Sequence, residues 1–199
     1  MCLLIETVRL VDGVPVNAHG HNARIKRAVC ELGKEKVSVF DVGAVIDPPE
    51  DLKSGRVKCR ILFGRNITGI EYRTYTPRKI KSLKVVYCDD IVYDHKYADR
   101  RVLEALRGGR GEYDEVLIVR SGYVTDTSFS NVVFFSGNKY YTPSCPLLYG
   151  TRRRQLIDSG ELREEEIKAS EIRLFDGIFL INSMLDPFEI RIDRSAVIL

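Results

Sequence analysis

At 199 residues, 44% hydrophobic and 30% charged, the chain can bury a real core as one large or two small domains and is no disordered polyampholyte. Its 31 Lys and Arg are interleaved with 28 Asp and Glu, and a net charge of +3 excludes a polycation while remaining compatible with small anionic ligands. No run approaches the roughly 20 apolar residues of a membrane helix, the start lacks the basic region and apolar core of a signal peptide, and the five cysteines, odd in number and without a C-x-x-C pair, argue against a disulfide framework and a zinc site.

In chain order, alternation and β-branched content predict a strand over Leu4–Val11, and an amphipathic pattern predicts a helix over His21–Leu32. Asp47-Pro48-Pro49-Glu50-Asp51 breaks regular structure, and strands follow at Val57–Phe63, Ile70–Tyr75 and Leu83–Cys88. The rhythm changes near residue 90. Residues 1–88 read as a small α/β lobe, 89–93 as a connection and 94–199 as a larger α+β lobe. The second lobe opens with a helix over Lys96–Leu106, ended by Gly108, Gly109 and Gly111. Strands are predicted at Glu115–Val119, Asn131–Phe135 and Lys139–Tyr141, the last two joined by a turn at Ser136-Gly137-Asn138. A helix over Arg152–Ile157, the charged stretch Glu161–Ile172, and strands at Gly177–Ile181 and near Glu189–Ile192 complete the chain.

Two features of the second lobe point to chemistry. Asp126, in the polar run Gly122-Tyr123-Val124-Thr125-Asp126-Thr127-Ser128, supplies a carboxylate of the kind that keeps a ring nitrogen protonated; the plain alternative is a turn or cap residue. Gly150 and Thr151 open the helix that follows, where free backbone N–H groups and a hydroxyl attract an anion such as a phosphate. Other clusters weigh less. Arg152-Arg153-Arg154 and Arg107-Gly108-Gly109-Arg110-Gly111 lack the interleaved aromatics of a nucleic-acid surface. His19-Gly20-His21 has no third ligand nearby for a metal.

Taken together, His21-Asn22-Ala23-Arg24, Lys96, Gly122 to Ser128 with Asn131, Thr142-Pro143, Leu148-Tyr149-Gly150-Thr151-Arg152 and Leu180-Ile181-Asn182-Ser183-Met184 resemble, in order and spacing, the class IV aminotransferase family. These are the fold-type IV pyridoxal-phosphate enzymes, including branched-chain and D-amino-acid aminotransferases and 4-amino-4-deoxychorismate lyases. The resemblance implies an α+β, D-amino-acid-aminotransferase-like fold and a pyridoxal 5'-phosphate cofactor between the lobes. It also implies a homodimer acting on a small amino acid or amino-chorismate through an external aldimine; the missing membrane run, signal peptide and nucleic-acid surface lead to the expectation of a cytoplasmic address without nucleic acid or membrane. Lys96 becomes the Schiff-base lysine. Arg24, Gly150, Thr151, Asn182 and Ser183 become phosphate contacts, and Asp126 the partner of the ring nitrogen. Asp126 stands where larger members carry Glu, so the carboxylate reaches with one methylene less. Arg56, Lys58, Arg60 and Arg65 are candidates for the substrate carboxylate. The expected activity is transamination; elimination of pyruvate by a lyase and a non-catalytic binding protein keeping the fold are the alternatives.

Overall fold

Alternation of inward and outward side chains, clearest over Arg56–Phe63, builds the first sheet. The computed structural model describes residues 3–108 and 112–199, so Gly109, Arg110 and Gly111 of the predicted helix stop lie outside the described residues. Strand β1 (Leu4–Val11) carries a short β2 (Val14–Pro15) at one end. Helix α1 (Ala18–Leu32) starts earlier than the periodicity alone indicates, because Asn17 caps it, its side chain accepting from Gly20 N–H at 3.2 Å. Its buried residues His21, Ile25, Ala28 and Val29 recur at helical spacing and form the face turned to the sheet.

A single turn, α2 (Val42–Val45), is capped by the Asp41 carboxylate, and β3 (Arg56–Phe63) and β4 (Ile67–Thr74) complete an antiparallel sheet of order β2-β1-β3-β4. The register Leu4↔Phe63, Val8↔Cys59 and Leu10↔Val57 puts these side chains into one core with Ile25, Ala28, Val29 and Ile61. The opposite face carries Thr7 opposite Arg60 and Arg9 opposite Lys58.

The second sheet begins with β5 (Leu83–Tyr87), which runs parallel to β6 (Glu115–Arg120) across a connection holding α3 (Arg101–Arg107). Then come β7 (Tyr123–Thr127), β8 (Asn131–Ser136), β9 (Lys139–Pro143), helix α4 (Thr151–Asp158), β10 (Arg163–Glu165), β11 (Gly177–Ile181), β12 (Ile190–Asp193) and β13 (Val197–Ile198). The path β10-β9-β8-β7-β6-β5-β13 has β11 joined to β8, and β12 to β11. Strand β6 is buried at Glu115 to Val119, as a strand covered on both faces must be.

Contacts divide the chain into two compact units: Met1–Pro77 with His95–Asp99, and Arg78–Asp94 with Arg100–Leu199. The boundary thus falls before β5, whereas the change of sequence rhythm lies after it. The helix expected from Lys96 begins only at Arg101. Residues 96–98 pair with β1 instead, through Ile5 N–H to Lys96 O at 2.9 Å and Ala98 N–H to Leu3 O at 2.8 Å. Among the described residues no helix is long and apolar enough to cross a membrane.

Candidate active site

Backbone register gathers the second unit's candidates. Asp126 lies within strand β7, not in the turn its polar neighbours suggest, and it pairs with Asn131 of β8, which pairs in turn with Ile181 of β11. Asn182 and Ser183 therefore leave β11 at the end of the sheet where Asp126 and Asn131 stand side by side. The Asn131 side chain clamps the corner: Nδ2 donates to Asp126 Oδ1 at 2.7 Å and to the Leu148 carbonyl at 2.8 Å. Leu148 N–H donates to Asp126 Oδ2 at 2.9 Å.

Burial pushes the Asp126 carboxyl up to about 6, against the pull of the Leu148 N–H, the Asn131 amide and the Arg153 charge. A positive charge placed beside it would restore the ionised form.

The phosphate-type turn rests on the same clamp. Gly150 has an ordinary φ of −69°, so its identity is required by space: a Cβ there would lie 2.0 Å from Asn131 Oδ1. Gly150 is the N-cap of α4 and, among the described residues, supplies no side-chain cap, at an end whose first-turn N–H groups and positive dipole suit an anion. Thr151 is buried at this start. Asn182 is committed to its own turn, its Oδ1 accepting from Met184 N–H at 2.8 Å and Leu185 N–H at 3.2 Å. Ser183, beside it, is partly buried.

Arg153 was hidden in the sequence among three arginines. The structure separates them. Arg152 bonds Gln155 at 2.6 Å, Arg154 pairs with Asp158 at the surface, and Arg153 is buried, donating to Pro143 O at 2.7 Å and to Glu164 Oε1 at 2.6 Å. The signal was helical spacing, since Arg153 shares the inward face of α4 with Leu156.

In the first unit, Lys96 belongs to a strand-like extension beside β1. Tyr97, next in the chain, bridges to Leu4 and packs against the core, so alternation sends the Lys96 side chain to the opposite face, the one carrying Thr7, Arg9, Lys58 and Arg60. Arg56 lies on that face too, opposite Val11, whereas Arg65 is an exposed loop residue whose Nε donates to Glu35 O at 3.0 Å. Arg60 has Glu71 as a neighbour at 3.9 Å. Arg9 adds a basic residue to this face, and the two-residue period of β1 is the signal for it in the sequence.

Arg24 is no loose surface charge. Its Nε and Nη2 hold the buried Glu6 carboxylate at 2.8 and 2.5 Å, and His21 Nδ1 lies 2.6 Å from the same group. Burial alone would raise the Glu6 carboxyl, but the Arg24 and His21 charges and hydrogen bonds outweigh it and hold it down at about 2. No group of three or more His, Cys, Asp or Glu suited to a metal occurs among the described residues.

Residues 93–191 match the amino-transferase class IV family. A Haemophilus influenzae protein of no assigned activity is 37% identical over 182 residues, covering 91% of this chain and 97% of its own. A crystal structure from Haemophilus somnus, provisionally named a 4-amino-4-deoxychorismate lyase, is 31% identical with a TM-score of 0.81, over 92% of this chain and 97% of its own. A Mesorhizobium loti structure, provisionally named an amino-acid aminotransferase, shares the fold along the full length of both chains at 22% identity and a TM-score of 0.81. The chain belongs to the class IV aminotransferase family and has the fold-type IV architecture. Members of this family are enzymes, pyridoxal-phosphate-dependent aminotransferases and aminodeoxychorismate lyases.

Proposed function

We propose that the protein binds pyridoxal 5'-phosphate and acts on the amino group of a small carboxylate-bearing substrate. The observation that carries the reading is the Asp126–Asn131–Gly150 corner: a buried carboxylate with a raised pKa, clamped beside an uncapped helix start. That donor set fits the group, because one part suits a protonated ring nitrogen and the other a phosphate.

When bound, the cofactor supplies an electron sink for the bond that breaks at the substrate carbon. The protein's own contributions follow from its residues. Asp126 holds the proton on the ring nitrogen. First-turn N–H groups of α4, with Thr151 and Ser183, bind the phosphate and fix its orientation; Arg24 is the further phosphate contact that the family pattern assigns. Lys96 provides the amine that carries the cofactor and moves the proton at the substrate α-carbon. Lys58 and Arg60, with Arg56 and Arg9, lie on the sheet face to which Lys96 is directed and bind the substrate carboxylate; Arg65 falls outside that set.

Transamination is the broad reading. Aminodeoxychorismate lyase activity is the second, favoured by 31% identity along nearly the whole chain to the protein provisionally given that name. A homodimer is expected with either.

The test is the visible spectrum of wild type and Lys96→Ala with pyridoxal phosphate, followed by borohydride reduction and peptide mass analysis. A reducible adduct on Lys96 of the wild type, absent from the variant, supports the reading. A folded wild type that forms no adduct overturns it.

A further inference from the structure

Three ionisable side chains meet inside the first unit where apolar ones would serve the core better. Glu6 points from β1 into the face formed by Leu4, Val8 and Leu10, directly opposite Ile61, and is 2% exposed. His21, one turn into α1, is fully buried, and its Nε2 makes no hydrogen bond among the described residues. Replacing such a group by hydrophobic residues of similar volume is commonly neutral or stabilising, so attachment of α1 to β1 alone does not account for it.

The geometry of the arginine gives the reason. Glu6 occupies the Nε and Nη2 side of Arg24 in a two-point fork, which fixes the guanidinium plane and leaves the Nη1 side for another acceptor. The Arg24 side chain is 15% exposed against 2% for Glu6, so the fork is anchored on a buried carboxylate while part of the side chain reaches solvent. A guanidinium fixed in advance gives up little further freedom on meeting an anion. His21 supports the second Glu6 oxygen at 2.6 Å and keeps the carboxylate from turning.

We propose that Glu6 and His21 are positioning residues that hold Arg24 as a preset receptor for a phosphate monoester, which on the reading above is the cofactor's phosphate. The inference rests on that reading. A purely structural staple would affect phosphorylated and unphosphorylated ligands alike, whereas a phosphate receptor discriminates between them.

The experiment measures Kd for pyridoxal 5'-phosphate and for pyridoxal, by absorbance titration, on wild type, Glu6→Gln and His21→Gln. Glu6→Gln keeps the shape and removes the charge. It is expected to reduce the preference for the phosphorylated ligand about tenfold or more, leaving pyridoxal binding unchanged. His21→Gln, with the Glu6–Arg24 pair intact, shifts the same ratio in the same direction by a smaller factor, and it carries the test if Glu6→Gln does not fold. An unchanged ratio in the folded variants, with wild type still forming the Lys96 adduct, overturns this inference alone. A wild type that binds neither ligand overturns it together with the proposed function.

Discussion

Arg153 and Arg154 are adjacent and chemically identical, yet their surroundings assign them different work. Arg153 is 3% exposed in its side chain and satisfies both the Pro143 carbonyl and the Glu164 carboxylate, tying α4 to the end of β9 and to β10. Arg153→Ala is expected to destabilise the protein by about 2–3 kcal/mol, because it leaves a buried carbonyl without its donor while the partly exposed Glu164 recovers hydration. Arg154 is 72% exposed and pairs with Asp158 one turn on, so Arg154→Ala should leave the urea midpoint where it is. Equal shifts for the two variants would contradict this division. Sequence spacing could place Arg153 on the inward side of a helix, but the Pro143 carbonyl it serves was not foreseeable, since that contact depends on how the β9–α4 connection turns back.

At the scale of elements, the start of α4 depends on a close approach between a glycine and a side chain of a different strand. Gly150→Ala is allowed by φ, so any penalty comes from the Asn131 oxygen at 2.0 Å from the added carbon. The expected cost is about 1–3 kcal/mol, with displacement of Asn131 from Asp126 and weaker binding of pyridoxal phosphate. A double-mutant cycle with Asn131→Ala checks the cause: the clash disappears with the amide, so the Gly150→Ala penalty should shrink in the Asn131→Ala background, and strict additivity would refute the account. Much of this scale was legible. Alternation and β-branched content located β1, β3 and β5, strands were expected where β6 and β8 lie, and the amphipathic pattern over His21–Leu32 located α1. The elements that were not legible owe their form to distant partners. Residues 96–98 read as helix because their composition permits it, but backbone pairing to Leu3 and Ile5 captures them as an extended segment. Asp126 read as a turn because polar neighbours favour one, whereas pairing with Asn131 and with β6 draws it into a strand. The two-residue strand β13 exists only through its parallel pairing with β5, so nothing local announces it.

At the scale of the whole molecule, two buried carboxylates oppose each other in their effect on stability. Glu6, held at about 2 against an ordinary 4.5, contributes stability that is complete above pH 4.5 and is lost as pH falls through 2, on the order of 3 kcal/mol. Asp126 has the opposite sign. Its folded pKa of about 6 exceeds the ordinary 3.8, so the folded state binds more protons in that window, and stability falls as pH rises from 3.8 through 6. The ligand-free chain therefore carries a penalty at neutral pH, located at the carboxylate proposed to face a positively charged ring nitrogen; a cation bound there removes it, and part of the binding free energy appears as relief of this strain. Urea midpoints of wild type, Glu6→Gln and Asp126→Asn, measured from pH 2 to 8 without cofactor, separate the two effects by slope, so any pH-independent cost of either amide drops out. Asp126→Asn should gain on wild type between pH 4 and 6, and Glu6→Gln should lose ground to wild type as pH rises from 2 to 4.5. A difference between wild type and Asp126→Asn that stays flat from pH 4 to 7 would mean that Asp126 is ionised at no cost, removing the electrostatic argument for a cation beside it.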